Sequence, residues 1–240
     1  MRQPWTSLTR SGLAAAFGAA ARLRHGRPVH ASGLVLDAHL CLHGTPEPWG
    51  VPFLDQRMDL PGIARLSRSV GVPPPLPDIL GLALRWDQDD TSADLLLATS
   101  GRTALGRRLL RPATRWTGLY SSLFPYQAGE RRVLLGALLH TPVRLPATLD
   151  ALAQVVEHGP LTVALLAAAP SGPWRPFGQV RLSAPVLTDA DLPTRFNPLR
   201  HPIAGLPPAS WLNDVRDAAY ASAQQVPDLP EKARDLSGVA

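Results

Sequence analysis

Gly33-Leu34-Val35-Leu36-Asp37-Ala38-His39-Leu40-Cys41-Leu42 is the stretch on which the fold turns. Leu34, Leu36, Ala38, Leu40 and Leu42 share one side, and Val35, Asp37, His39 and Cys41 share the other. Successive side chains of a strand point to opposite faces, so this two-residue period predicts a strand with one face in a core. The same pattern continues downstream. Ile63 to Val70 alternates around Ala64, Leu66 and its arginines. Leu80 to Trp86 and Asp94 to Thr99 flank the polar turn Asp87 to Ser92 and predict a hairpin. Tyr120 to Tyr126 and Arg131 to His140, on either side of Gln127-Ala128-Gly129-Glu130, predict a second. Leu161 to Ala168 and Phe177 to Ser183, joined around Ser171-Gly172-Pro173, predict a third. About eight strands result, and an eight-stranded antiparallel sheet can close on itself and remove its own edges.

Helical patterns frame this sheet. Residues 6 to 24 open the chain with a helix, Leu149 to Glu157 carries a helical period between strands, and Ser210 to Gln225 closes with another. In that last segment Trp211, Val215, Ala218, Ala219 and Ser222 share a face. The expected class is α+β: an antiparallel eight-stranded barrel with N-terminal and C-terminal helices. Residues 1–26 are expected to form a helix packed on the domain, 27–226 the barrel with its closing helix, and 227–240 a flexible tail. No internal repeat is present.

Composition narrows the function classes. With 240 residues, 45% of them hydrophobic and 18% charged, the chain can bury a full core. The 26 prolines and 19 glycines lie between apolar runs, as short strands with long connections require. The net charge of +5 is arginine-borne, Lys232 being the sole lysine. Its densest group, Arg107, Arg108, Arg111 and Arg115, has no interleaved aromatic partners, which argues against a nucleic-acid interface. Cys41 is the sole cysteine, so no intrachain disulfide can form, and a reducing cytoplasm is expected. Gly12 to Ala21 is too rich in small residues, and too closely followed by Arg22 and Arg24, for a secretory leader. No stretch approaches the ~20 apolar residues that cross a bilayer.

Three separated segments carry chemistry together. Arg27-Pro28-Val29-His30-Ala31-Ser32-Gly33 leads into the first strand. Ala64-Arg65-Leu66-Ser67 is followed by Pro77-Asp78-Ile79-Leu80-Gly81-Leu82-Ala83-Leu84-Arg85 and then Asp94-Leu95-Leu96. Phe196-Asn197-Pro198 precedes Trp211-Leu212-Asn213-Asp214-Val215-Arg216-Asp217-Ala218-Ala219-Tyr220. In order and spacing these resemble segments of the haem catalases and of the small catalase-related peroxidases, from Arg27 to Tyr220. The resemblance implies a catalase-like barrel binding haem b, with Tyr220 as the iron ligand and His30 as the distal acid/base behind Val29. It implies Arg27 and Arg65 as propionate partners, and Arg216 beside the ligating phenol. On a helix, positions four apart are neighbours, so a guanidinium at Arg216 can help hold a Tyr220 phenolate. Lowering a tyrosine pKa from about 10 to neutrality takes about 4 kcal/mol.

Departures from the family qualify the activity. Ala98 stands where catalases carry an asparagine that polarises peroxide; Thr99, next to it, offers a single hydroxyl in its place. Pro227 stands where an arginine usually follows the ligating tyrosine. The 240 residues hold no counterpart of the family's long arm, wrapping loop and C-terminal helical domain, which implies a more accessible haem. The expected activity is therefore peroxidase-like. It would reduce hydrogen peroxide or organic hydroperoxides with a small electron donor, in a monomer or homodimer without nucleic-acid or membrane partners.

Two other readings stand beside it. A catalase-fold protein without haem turnover, acting in binding or as a scaffold, fits the same departures. Asp37, His39 and His43 form a D-x-H-x-x-x-H string that suggests a metal-dependent phosphodiesterase. Such a site needs further converging ligands, and Asp78, His140, His158 and His201 supply no recognisable second half. No Gly-x-Ser-x-Gly, P-loop or Gly-x-Gly-x-x-Gly is present.

Overall fold

A computed structural model describes residues 33–88, 91–141, 144–183 and 196–207, all within one unit. Nine strands form: β1 Gly33–Leu42, β2 Met58–Arg68, β3 Leu80–Gln88, β4 Thr91–Thr99, β5 Gly118–Ser121, β6 Tyr126–Ala128, β7 Arg131–Leu139, β8 Leu161–Ala168 and β9 Arg175–Ser183. Helix α1 is Pro52–Asp55 and α2 is Leu149–His158. All pairings are antiparallel, in the order β5-β4-β3-β2-β1-β9-β8-β7-β6, and β5 also pairs with β7. That last pairing closes the sheet. The barrel wall has eight strands, with β6 taking up the β7 edge where β5 leaves it. The expected terminal helices and tail lie outside the described residues.

The interior is filled, as expected of so small a barrel. Leu36 and Leu40 of β1, Leu66 of β2, Leu82 and Leu84 of β3, Leu95 of β4, Leu135 of β7, Leu165 of β8 and Leu182 of β9 are essentially solvent-free. Alternation along each strand puts them on one face. From α1, Phe53 stacks on Trp86 at 4.9 Å and meets Phe177 edge-on at 5.5 Å. Helix α2 is capped by Thr148, whose hydroxyl accepts from the Ala151 N–H, and it buries Leu152 and Val156. A filled core leaves no room for a large ligand inside.

The sequence expectations meet the structure unevenly. β1 runs as expected. β2 begins five residues before Ile63, at Met58, and its Pro61 lies where β2 pairs only with β1. The single strand expected over Tyr120 to Tyr126 is broken into β5 and β6: Leu123 takes a positive φ of 61°, and its N–H is held by the Ser121 hydroxyl at 3.1 Å. Among the described residues no helix is long and apolar enough to cross a membrane.

Candidate functional site

Strand register sorts the outer wall into rows. The first is Gly33, Ser67, Gly81, Ala98, Ser121 and Gly136, one residue from each of β1, β2, β3, β4, β5 and β7. The second is Val35, Arg65, Ala83 and Leu96. The third is Asp37, Ile63, Arg85 and Asp94. Strands lie about 4.8 Å apart, so the four small residues from Gly33 to Ala98 make a smooth strip about 14 Å across. No side chain larger than a hydroxymethyl stands on it. An outward row would ordinarily be wet, yet Val35 and Ser121 are 0% exposed and Ser67 and Ala83 are buried.

Arg65 lies over the edge of this strip. A Cβ placed on Gly33 would come within 2.7 Å of the Arg65 guanidinium carbon, so only glycine admits the arginine there. At the far end Trp174 covers Gly136 as closely, at 2.8 Å from a built Cβ. Arg107 stacks on Trp174 at 4.7 Å and donates to the Gly172 carbonyl at 2.9 Å. Burial, and then the neighbouring Arg108 charge, lower the Arg107 pKa.

The third row anchors a later segment. Asp94, fully buried, accepts from Arg85 Nε and Nη2, both at 2.6 Å, and from the Asn197 N–H at 2.5 Å. The Phe196 ring lies 5.1 Å from the Arg85 guanidinium. β4 pairs with β5 only at Ala98 and Thr99; farther along, the Asp94 N–H donates to the His201 carbonyl at 2.8 Å. Phe196 and Asn197, which the resemblance places before the proximal helix, are thus clipped to the outer wall.

Of the expected site residues, Arg65 is on this wall. Ala98, where the resemblance expects an asparagine, is in the smooth row. Thr99 faces the opposite way. Strand alternation turns it into the interior, where it is 5% exposed and its Oγ1 accepts from the Leu80 N–H at 3.1 Å. Its hydroxyl is not brought together with Arg65, and the placement gives no support to the expected peroxide contact. Arg27, Val29, His30, Arg216 and Tyr220 lie outside the described residues. The other two tyrosines are core residues. Burial pushes both phenols well above their ordinary pKa, and the Tyr120 hydroxyl donates to the Trp116 carbonyl at 2.7 Å.

The D-x-H-x-x-x-H string does not converge. Asp37 faces Ile63 and Ser183 across the sheet, while the His43 Nδ1 bonds the Gly44 carbonyl at 2.9 Å. His39 turns instead to Asp59, with Nε2 3.3 Å from Oδ1. Asp78 is a structural clamp: it is buried against Arg68 and accepts from the Val70 and Gly71 N–H groups, both at 2.9 Å. Sequence reasoning missed the Arg85–Asp94 pair. Its signal was the hairpin itself, since a turn closed between Gln88 and Thr91 sets 85 opposite 94.

No family model and no curated protein matches the sequence. A solved structure of a fungal catalase is similar in fold, with a TM-score of 0.56 at 11% identity over 82% of this chain. The chain spans 59% of that catalase's length. At that identity the likeness concerns the barrel alone.

Proposed function

We propose that the outer wall of β1 to β4 forms one side of a haem pocket, and that this chain is a haem-dependent peroxidase of reduced catalase-like design. The observation that carries the reading is the Arg65 guanidinium seated over Gly33, beside a strip of Ser67, Gly81 and Ala98 that bears no tall side chain. A flat macrocycle with acidic edge groups needs such a surface: smooth contact for the ring, and a cation at one margin for a carboxylate. The described residues fit that group. Haem, when bound, supplies the iron and the redox chemistry.

The chain's own residues then have definite tasks. Arg65 neutralises the acidic edge, a task that the resemblance assigns to Arg27 as well. Tyr120 and Tyr126 are core residues whose phenols burial holds protonated, and the resemblance assigns the iron to Tyr220. Arg216, four residues earlier, stabilises its phenolate. His30 takes a proton from one peroxide oxygen and returns it to the other. Ala98 offers a methyl and Thr99 is turned inward, so neither residue supplies a second polar group to orient peroxide. Reduction of hydrogen peroxide or organic hydroperoxides by a small donor is therefore favoured over rapid disproportionation.

Titration of the purified chain with haem tests this. A saturable Soret band is expected, with a ferric tyrosinate spectrum that Tyr220→Phe abolishes and an affinity that Arg65→Ala weakens. No Soret band in the wild-type chain would end the proposal. A band without peroxide turnover would instead support a binding or scaffold role.

A further inference from the structure

The far end of the same wall carries a different chemistry. β1 sends His39 and Cys41 outward on alternate positions, and the register sets Asp59 of β2 directly opposite Cys41. The His39 Nε2 lies 3.3 Å from Asp59 Oδ1. The three ligand atoms all lie within 4.8 Å of one another. We propose that His39, Cys41 and Asp59 bind a borderline-soft divalent cation of the Zn2+ kind, with a fourth position open to solvent.

Geometry, donor type and access all bear on this. Tetrahedral bonds of about 2.0–2.3 Å set neighbouring donor atoms about 3.3–3.6 Å apart. The imidazole and carboxylate already have that spacing, and the Cys41 sulfur lies within 4.8 Å of both ligand atoms. The imidazole already meets the carboxylate, so a divalent ion can take the place of the proton between them. Thiolate with imidazole selects zinc-like ions over Mg2+ or Ca2+, which take all-oxygen sites. Three protein ligands and one free position match the open arrangement of zinc sites that keep an exchangeable ligand. The free position faces a cleft of about 570 Å3 that His39 and Cys41 share with Pro160, Arg181 and Ser183. Arg181, opposite His39 across the β1–β9 pair, limits the affinity for a cation and favours an anion as the fourth ligand. The site is set apart from the Arg65 row on the same wall: His39 is four residues along β1 from Val35, or about 13 Å.

Co2+ is the probe, added to the full-length chain. Cys41 is the sole cysteine, so a near-ultraviolet sulfur-to-cobalt absorption can arise only from it. The band should saturate at one ion per chain, disappear on adding Zn2+, and be absent from Cys41→Ser. Asp59→Asn and His39→Ala should each weaken Co2+ by about tenfold or more. Both residues are exposed, so neither change threatens the barrel. In the unsubstituted chain, Zn2+ but not Mg2+ should slow alkylation of Cys41. Absence of the band, absence of Zn2+ protection, or an affinity unchanged in both ligand variants would overturn the site and leave an ordinary polar patch.

Discussion

Asp94→Ala is the substitution whose cost the structure defines most fully. The carboxylate is fully buried and takes three hydrogen bonds of 2.5–2.6 Å: two from a guanidinium that is itself 13% exposed, and one from the Asn197 N–H. Removing one partner of a buried pair costs about 3–5 kcal/mol, because the other charge stays in low dielectric. The stranded Asn197 N–H adds about 1 kcal/mol. Phe196, whose ring faces Arg85, and the further contact that Arg85 keeps return about 1 kcal/mol between them. The expected loss is therefore about 4 kcal/mol, which for a domain of this size lowers Tm by roughly 8–16 °C. Equilibrium urea unfolding, followed through the buried Trp86 and Trp116, measures it directly. Replacing both partners, Arg85→Leu with Asp94→Leu, should recover most of the loss, since an apolar pair of similar volume carries no desolvation penalty. A single variant within about 1 kcal/mol of wild type, or a double variant as unstable as the single, would refute this account of the clip.

Gly33→Ala should displace the Arg65 guanidinium, the far end of a flexible side chain, at a stability cost below about 1 kcal/mol. Haem affinity in a Soret titration should nevertheless fall as far as in Arg65→Ala. Thr99→Val should cost about 1–3 kcal/mol by orphaning the buried Leu80 N–H, yet leave haem affinity unchanged, as a melt and a titration in parallel would show. Burial pushes the Asp55 pKa up, but bonds from the Trp49, Val51 and Gly50 N–H groups and the Thr45 hydroxyl outweigh it and hold the carboxyl below its ordinary value. Its stabilising contribution is thus complete above the unfolded pKa of about 3.9 and is lost as pH falls through the lower folded value. Asp55→Asn should be less stable than wild type at pH 7, and urea midpoints should show that gap narrowing as pH falls below about 4.

Local pattern alone determined most of the strands and the character of their faces. In β1 the alternating residues were sorted to the correct sides before any pairing was known, with Leu36, Ala38, Leu40 and Leu42 buried and Asp37 and His39 exposed. Helix α2 was legible from its period, and eight strands with hairpin turns already implied closure. These properties belong to neighbours in the chain, and the backbone's two- and 3.6-residue periods express them directly. Partnership across the sheet was decided only by the tertiary structure. That Arg65 rests on Gly33, that Asp59 rather than Asp37 or His43 joins His39, and that Thr99 faces inward while Ala98 faces out, all depend on register between segments tens of residues apart. A shift of one residue would turn every side chain of a strand to the opposite face, and the closed barrel, with its filled core, admits only one register.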